Sequence, residues 1–199
     1  MLEWHGSTTT GYGFYPVKSS SVYDENYFEK YVGYADTDLG QKLNAARNKL
    51  VDKYYKKQLL VDIGIGCGQF VESRGDFAYG YDVNPVGIRW LKNKFRYYNP
   101  YSYPVPIMTF WDSLEHIEHP EILLLNCQNT AFISMPIFTD QAHVLRSKHY
   151  RTDEHFWYFT LSGFIHYMTK CGFQLLEHNT METDLGREDI QTFVFERTK

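Results

Sequence analysis

The chain has 199 residues, enough for one domain with a sizeable core, and its net charge of −4 with a pI near 6.0 argues against a broad cationic nucleic-acid groove. Aromatic residues make up 18%, with seventeen Tyr and fourteen Phe, side chains that bury large areas and line pockets for flat ligands. No apolar run reaches the roughly 18–20 residues of a membrane span, Cys67, Cys127 and Cys171 form no CxxC pair, and the opening MLEWHGSTTT lacks the features of a secretory signal, so a reduced, cytoplasmic protein is expected.

Residues 1–23 are rich in Gly, Ser, Thr and Tyr without period and read as a loop or lid; YDENYFEKY at 23–31 opens a short helix. Leu39, Leu43, Ala46, Leu50 and Tyr54 recur at steps of three and four, which predicts a helix over 38–57 with Asp36 or Thr37 as its cap. LLVDI at 59–63 is a short buried strand that ends on a glycine-rich turn. A brief helix at 69–74, a second strand at 77–82 and a helix at 85–95 follow, with Pro85 suited to a first turn and Val86, Trp90 and Leu91 facing inward.

The three prolines of NPYSYPVP make 99–106 a loop. IMTFW at 107–111 is a third buried strand, a helix begins near Pro120, and TAFISM at 130–135 is the next strand. Residues 136–160 read as a long loop rich in His and aromatics. Leu161, Phe164, Ile165 and Met168 fall on one helical face, and Gly172 sits where a C-terminal glycine belongs, predicting a helix over 161–171. FQLLE at 173–177 and QTFVFE at 191–196 are closing strands. Short apolar strands alternating with helices predict an α/β sandwich around a mostly parallel sheet.

The turn carries the most chemical information. Asp62, Gly64, Gly66 and Gly68 spell D-x-G-x-G-x-G at a strand's end, and Asp82 follows Asp62 by twenty residues at the end of the next strand. Glycines accept positive φ and let backbone approach a ligand. An acid at the second strand's end is placed to accept hydrogen bonds from both ribose hydroxyls. The third glycine of the dinucleotide fingerprint is replaced by Gln69, and no G-K-[ST] follows, so neither that fingerprint nor a P-loop is present.

VDIGIGCGQF (61–70) and YDVNP (81–85) resemble the first two motifs of the class I S-adenosylmethionine-dependent methyltransferases. WDSLEHIEHP (111–120), FISMPIF (132–138) and HFWYFTLSGFIHYMTKCGFQLLE (155–177) are similar to later segments of the ubiquinone-biosynthesis-like branch, so the likeness covers about residues 55–199. The resemblance implies a three-layer Rossmann-like sandwich with a seven-stranded sheet, mostly parallel with an antiparallel last strand. S-adenosylmethionine is the implied cofactor. Gly64, Gly66 and Gly68 would admit its methionine part, Asp82 with Val83 its ribose, and Asp62 would order the turn and aid the ammonium end. Asp112 and Ser113 would lie near the sulfonium and the substrate mouth. The stretch between Phe95 and Ile107 is too short for a full third strand and helix, so that region is expected to be reduced, with Trp111 or Tyr98 as a candidate cover for the adenine.

A single domain is expected, with 1–57 forming a cap over a cofactor-binding core at 58–199. His149, His155 and Tyr150 are candidate catalytic groups for handling an attacking hydroxyl or amine. A metal site is not expected. The LEHIEH pair His116 and His119 reads as a solvated helix start and Glu115 as structural, and an imidazole set of His143, His149 and His155 with Asp153 or Glu154 is a minor alternative. Arg146, Lys148 and Arg151 either grip an acidic substrate or form a plain surface loop. Tyr12, Tyr15, Tyr23, Tyr27 and Tyr31 either close over the cofactor or pack as an arm. The expected function is methyl transfer to O or N of a small or medium-sized molecule. A non-catalytic cofactor- or partner-binding protein is the second reading, and a nucleic-acid methyltransferase, disfavoured by DSLE where a [DNS]-P-P-[YFW] motif would stand, is the third.

Overall fold

The computed structural model describes residues 1–16, 23–54 and 57–198. The N-terminal part comprises strands β1 (Glu3–His5) and β2 (Tyr12–Phe14) and helices α1 (Glu25–Ala35) and α2 (Asp38–Tyr54). Next come β3 (Leu60–Ile63), α3 (Gln69–Arg74), β4 (Ala78–Tyr81), α4 (Pro85–Asn93) and β5 (Val105–Trp111). Then follow α5 (Pro120–Asn126), β6 (Cys127–Phe138), α6 (Gln141–Arg146) and β7 (Trp157–Thr160). The chain closes with α7 (Leu161–Lys170), β8 (Phe173–Asn179), α8 (Met181–Asp184) and β9 (Ile190–Arg197). Of the lid predicted at 1–23 and the helix predicted over 38–57, residues 17–22 and 55–56 lie outside the described residues.

β4, β3, β5 and β6 lie side by side and parallel. β9 runs antiparallel to β6, and β8 antiparallel to β9. Parallel strands are covered on both faces, which is why LVDI of β3 is buried at every position. One face packs against Leu123 and Leu124 of α5 and Phe164 and Met168 of α7; the other meets Leu50 and Val51 of α2, Phe70 and Val71 of α3 and Leu91 of α4. The result is the expected three-layer, mostly parallel α/β sandwich. The glycine turn sits at the edge formed by the carboxyl ends of β3, β4 and β5.

Two regions differ from the sequence expectation. Residues 136–160 are not one loop. β6 runs on to Phe138, Asp140 caps α6 by accepting from His143 N at 2.7 Å, and β7 pairs in parallel with Ile137 and Phe138. The hairpin of β1 and β2 then adds antiparallel to β7, so among the described residues the sheet has nine strands where the resemblance implied seven. Thr160 holds this junction together, donating its hydroxyl to Gly11 O at 2.8 Å while accepting from Gly163 N at 3.1 Å as the N-cap of α7. The third-strand region is reduced, as expected, to a single parallel bridge between Gly80 and Tyr97. The prolines at 100, 104 and 106 lack the N–H groups a ladder needs, and the segment is too short to add a crossover helix.

Candidate functional site

The site begins with the turn after β3. Gly64, Gly66 and Gly68 have φ of +77°, +57° and +83°, a region that side chains rarely adopt. Close approach makes two of them necessary. A Cβ on Gly64 would lie 2.8 Å from Ser113 Cβ, and one on Gly68 would lie 2.4 Å from the Trp90 ring on α4. Gly68 is also the residue before α3, whose first-turn N–H groups face the turn.

Asp62 is buried at the end of β3 and accepts from Thr109 Oγ1 of β5 at 2.6 Å. Burial pushes its carboxyl up to about 7, against the opposing pull of that hydrogen bond and of Arg47. A cationic ligand group nearby would restore its charge. Asp82, just past β4, is 8% exposed and accepts from Asn84 N at 2.8 Å. Burial raises its pKa while backbone N–H groups of Asn84, Ile65 and Val83 oppose the rise. The Val83 side chain is exposed at the rim.

Helix α1 lies across this edge. Asn84 Nδ2 donates to Asp24 O at 3.1 Å, and Gln69 Nε2 donates to Ala35 O at 3.1 Å, tying both ends of the helix to the cofactor-side loops. Tyr23, Tyr27 and Tyr31 stack along one face at steps of four, with successive centroids 5.0 Å apart. Tyr31 faces Gly66 at ordinary contact distance, and Tyr27 and Tyr31 share a hydrogen bond at 3.3 Å. Tyr12 and Tyr15 do not join this ladder: Tyr12 packs on Trp157 and Phe159, and Tyr15 on Tyr150.

Past β5, Asp112 has φ of +56° and is engaged on both oxygens. Arg187 donates to it at 2.7 and 3.0 Å and Arg47 at 3.1 Å. Fully buried Glu182 accepts from Arg47 at 2.7 and 2.9 Å and from Arg187, completing a network of two cations and two anions. Sequence reading missed Arg47, Glu182 and Arg187, which are scattered along the chain without local pattern. Ser113 stands beside Gly64 with its buried hydroxyl lacking a partner among the described residues.

The remaining candidates separate. His149 Nε2 sits 3.0 Å from Glu188 O, and burial lowers its pKa. Tyr150 packs on Tyr158 and Tyr15. His155 is 4% exposed and lies against His116 with centroids 4.5 Å apart. His143 is held by Thr139 N and lies 3.3 Å from Asp189, so the three imidazoles of that loop do not converge. His116 and Glu115, read from sequence as solvated and structural, are drawn inward, because the turn at 114–116 packs under β7. Lys148 pairs with Glu188 at 2.9 Å and Arg151 with Glu154, which neutralises most of the basic cluster. Trp111 packs against Phe70 and Arg47, and the Tyr98 hydroxyl donates to Pro104 O at 3.0 Å. Among the described residues no helix is long and apolar enough to cross a membrane.

No protein-family model matches the sequence, and no curated protein sequence matches it. Solved structures do. The chain is similar to magnesium protoporphyrin IX methyltransferase from Synechocystis PCC 6803 with bound S-adenosylhomocysteine, at 12% identity and a TM-score of 0.62, over 87% of this chain and 95% of that one. It is similar to a S-adenosylmethionine-dependent methyltransferase from Clostridium acetobutylicum ATCC 824, at 10% identity and a TM-score of 0.60, over 86% and 99% of the two chains. It is also similar to a 4+2 cyclase, at 11% identity and a TM-score of 0.58, over 82% and 86%. The chain therefore has the class I methyltransferase fold.

Proposed function

We propose that this protein is a S-adenosylmethionine-dependent methyltransferase acting on O or N of a small or medium-sized molecule. The observation that carries the reading is the pairing of Asp62 and Asp82 at the ends of adjacent parallel strands, on either side of a turn whose three glycines all have positive φ. The unpartnered Ser113 hydroxyl beside Gly64 fits a ligand in that groove. In this reading Gly64, Gly66 and Gly68 border the methionine part, Asp82 and Val83 the ribose, and Asp62 supports the ammonium end. The β1–β2 hairpin joins the sheet and α2 packs on its face, so of the expected cap it is α1, with Tyr27 and Tyr31, that lies over the turn. The cofactor supplies a methyl group already activated by the sulfonium charge. The protein's task is then to align the acceptor and exclude water, with His149 or Tyr150 as the candidate base for a hydroxyl acceptor.

Binding of S-adenosylhomocysteine tests this directly. At a concentration 100-fold above Kd the native state gains about 2.7 kcal/mol, which raises Tm by about 5–11 °C for a chain of this size. Asp82→Ala removes the gain. An unchanged Tm with both S-adenosylmethionine and its product at millimolar concentration would remove the basis of the proposal.

A non-catalytic, cofactor-binding role is the second reading. The locking of Asp112 by two arginines favours it, since this carboxylate at the substrate mouth is committed to structure. Radiolabelled methyl transfer into fractionated extract, with Asp82→Ala as control, separates the two. Nucleic-acid methylation is not carried further, because Lys148 and Arg151 are paired with acids.

A further inference from the structure

One buried cluster has no part in the proposed cofactor groove. Glu115 and His116 lie in the turn after β5, and His155 lies at the entry to β7. Glu115 is 2% exposed, and its Oε2 has no hydrogen-bond partner among the described residues. The buried Nδ1 of His116 also lacks one. One donor atom from each of Glu115, His116 and His155 falls within 4.8 Å of the others. Buried polar groups without partners are costly and rare, and here two converge with a third.

We propose that Glu115, His116 and His155 bind one divalent transition-metal ion of the zinc class. Two imidazoles and a carboxylate are an established donor chemistry for such ions. A tetrahedral ion about 2.0–2.2 Å from each donor sets the donors roughly 3.4 Å apart, a contraction that side-chain rotation supplies. The cluster rests on a pinned frame. Phe156 N donates to Glu115 O at 2.8 Å, and Trp157 Nε1 donates to Ile117 O at 3.0 Å.

Arg151, whose charge reaches both rings, is paired with Glu154. Three protein ligands leave a fourth position open, as in catalytic and not structural zinc sites. Assigning that position to an oxygen of the methyl acceptor rests on the methyltransferase reading; metal binding itself does not.

The test uses the full chain, stripped with chelator and titrated with Zn²⁺ and separately with Co²⁺. One ion per chain is expected, with Co²⁺ giving visible d–d bands. Glu115→Gln, His116→Ala and His155→Ala each weaken binding by at least roughly 100-fold, while His119→Ala, at an exposed residue beside Glu121, leaves it unchanged. Glu115→Gln keeps the side chain's volume and carries the test if a histidine variant fails to fold. S-adenosylhomocysteine binding is measured on the same samples, so loss of the metal and failure of the cofactor reading remain distinct. A stoichiometry well below one, or equal affinity in Glu115→Gln and wild type, overturns the proposal.

Discussion

Glu182→Gln tests the charged network around Asp112. Glu182 has no exposed surface and is bonded to both Arg47 and Arg187. The substitution leaves two guanidinium groups sharing Asp112 alone, in a place where Arg47 is only 16% exposed. Removing one partner from a buried ion pair costs about 3–5 kcal/mol. The face of Trp111, 5.0 Å from the Arg47 guanidinium, cushions part of the stranded charge, which puts the expected loss near the lower end, about 3 kcal/mol. At 2–4 °C per kcal/mol, Tm falls by about 6–12 °C. Urea and thermal unfolding of Glu182→Gln, Arg187→Met and the double variant close a cycle. The double variant retains the balanced Arg47–Asp112 pair, so it should be more stable than the sum of the singles by at least about 1.5 kcal/mol. Additive losses, or a Glu182→Gln cost below about 1 kcal/mol, would refute the network's coupling. Burial alone would raise the Asp112 carboxyl, but Arg187 and Arg47 outweigh it and hold it below the usual carboxylate range. Its contribution is therefore fully present above the unfolded carboxylate value, about 3.9, and is lost as pH falls through the folded one.

Three further outcomes are expected. Gly68→Ala combines a positive φ with a Cβ driven into the Trp90 ring, and should cost about 2–4 kcal/mol in urea unfolding, with the clash part recovered in a Trp90→Ala background; equal costs in both backgrounds would contradict the contact. Asp62, raised to about 7 in the folded state, makes the unfolded chain bind fewer protons between about pH 4 and 7, so stability falls over that window relative to Asp62→Asn; parallel pH profiles of the two proteins would count against it. Thr160→Ala removes both the cap of α7 and the bond to Gly11, and should cost about 1–3 kcal/mol while raising proteolytic nicking of the β1–β2 hairpin; a variant as stable and as resistant as wild type would show that the hairpin is held elsewhere.

What could be read from sequence is what obeys local rules. The buried run of β3, the glycines with φ near +80°, the acid after β4 and the face of α7 closing on Gly172 each carry their signal within a few residues. The last strand could be read because Thr192 to Phe195 are an unbroken run of β-branched and aromatic residues. Residues 136–160 failed as a loop because β7 is four residues long and gains its stability from β6 on one side and from β2, near the start of the chain, on the other. WYFT at 157–160, all aromatic or β-branched, was the available hint. The hairpin strands are three residues each and define themselves only by pairing with each other and, through β2, with β7. Arg47, Asp112, Glu182 and Arg187 meet from positions up to 140 residues apart, and nothing local distinguishes them from solvated charges.

The division between what was legible and what was not follows the division of labour in the fold. The turn, Asp62 and Asp82 belong to the carboxyl ends of β3 and β4, the shared part of this architecture, where a ligand common to many proteins would sit. The chain departs from the expected pattern on the other side, where β6 is prolonged, β7 and the hairpin are added, and the 114–116 turn is pressed under them. That departure is what brings His155 against His116 and buries Glu115. A fold hosts many chemistries by varying such added elements, as the likeness to a cyclase as well as to methyltransferases illustrates. Acceptor choice should therefore respond to changes in β7 and the 114–116 turn, and cofactor affinity to changes in the glycine turn. Variants of the first kind that altered S-adenosylhomocysteine affinity as strongly as Asp82→Ala would break this separation.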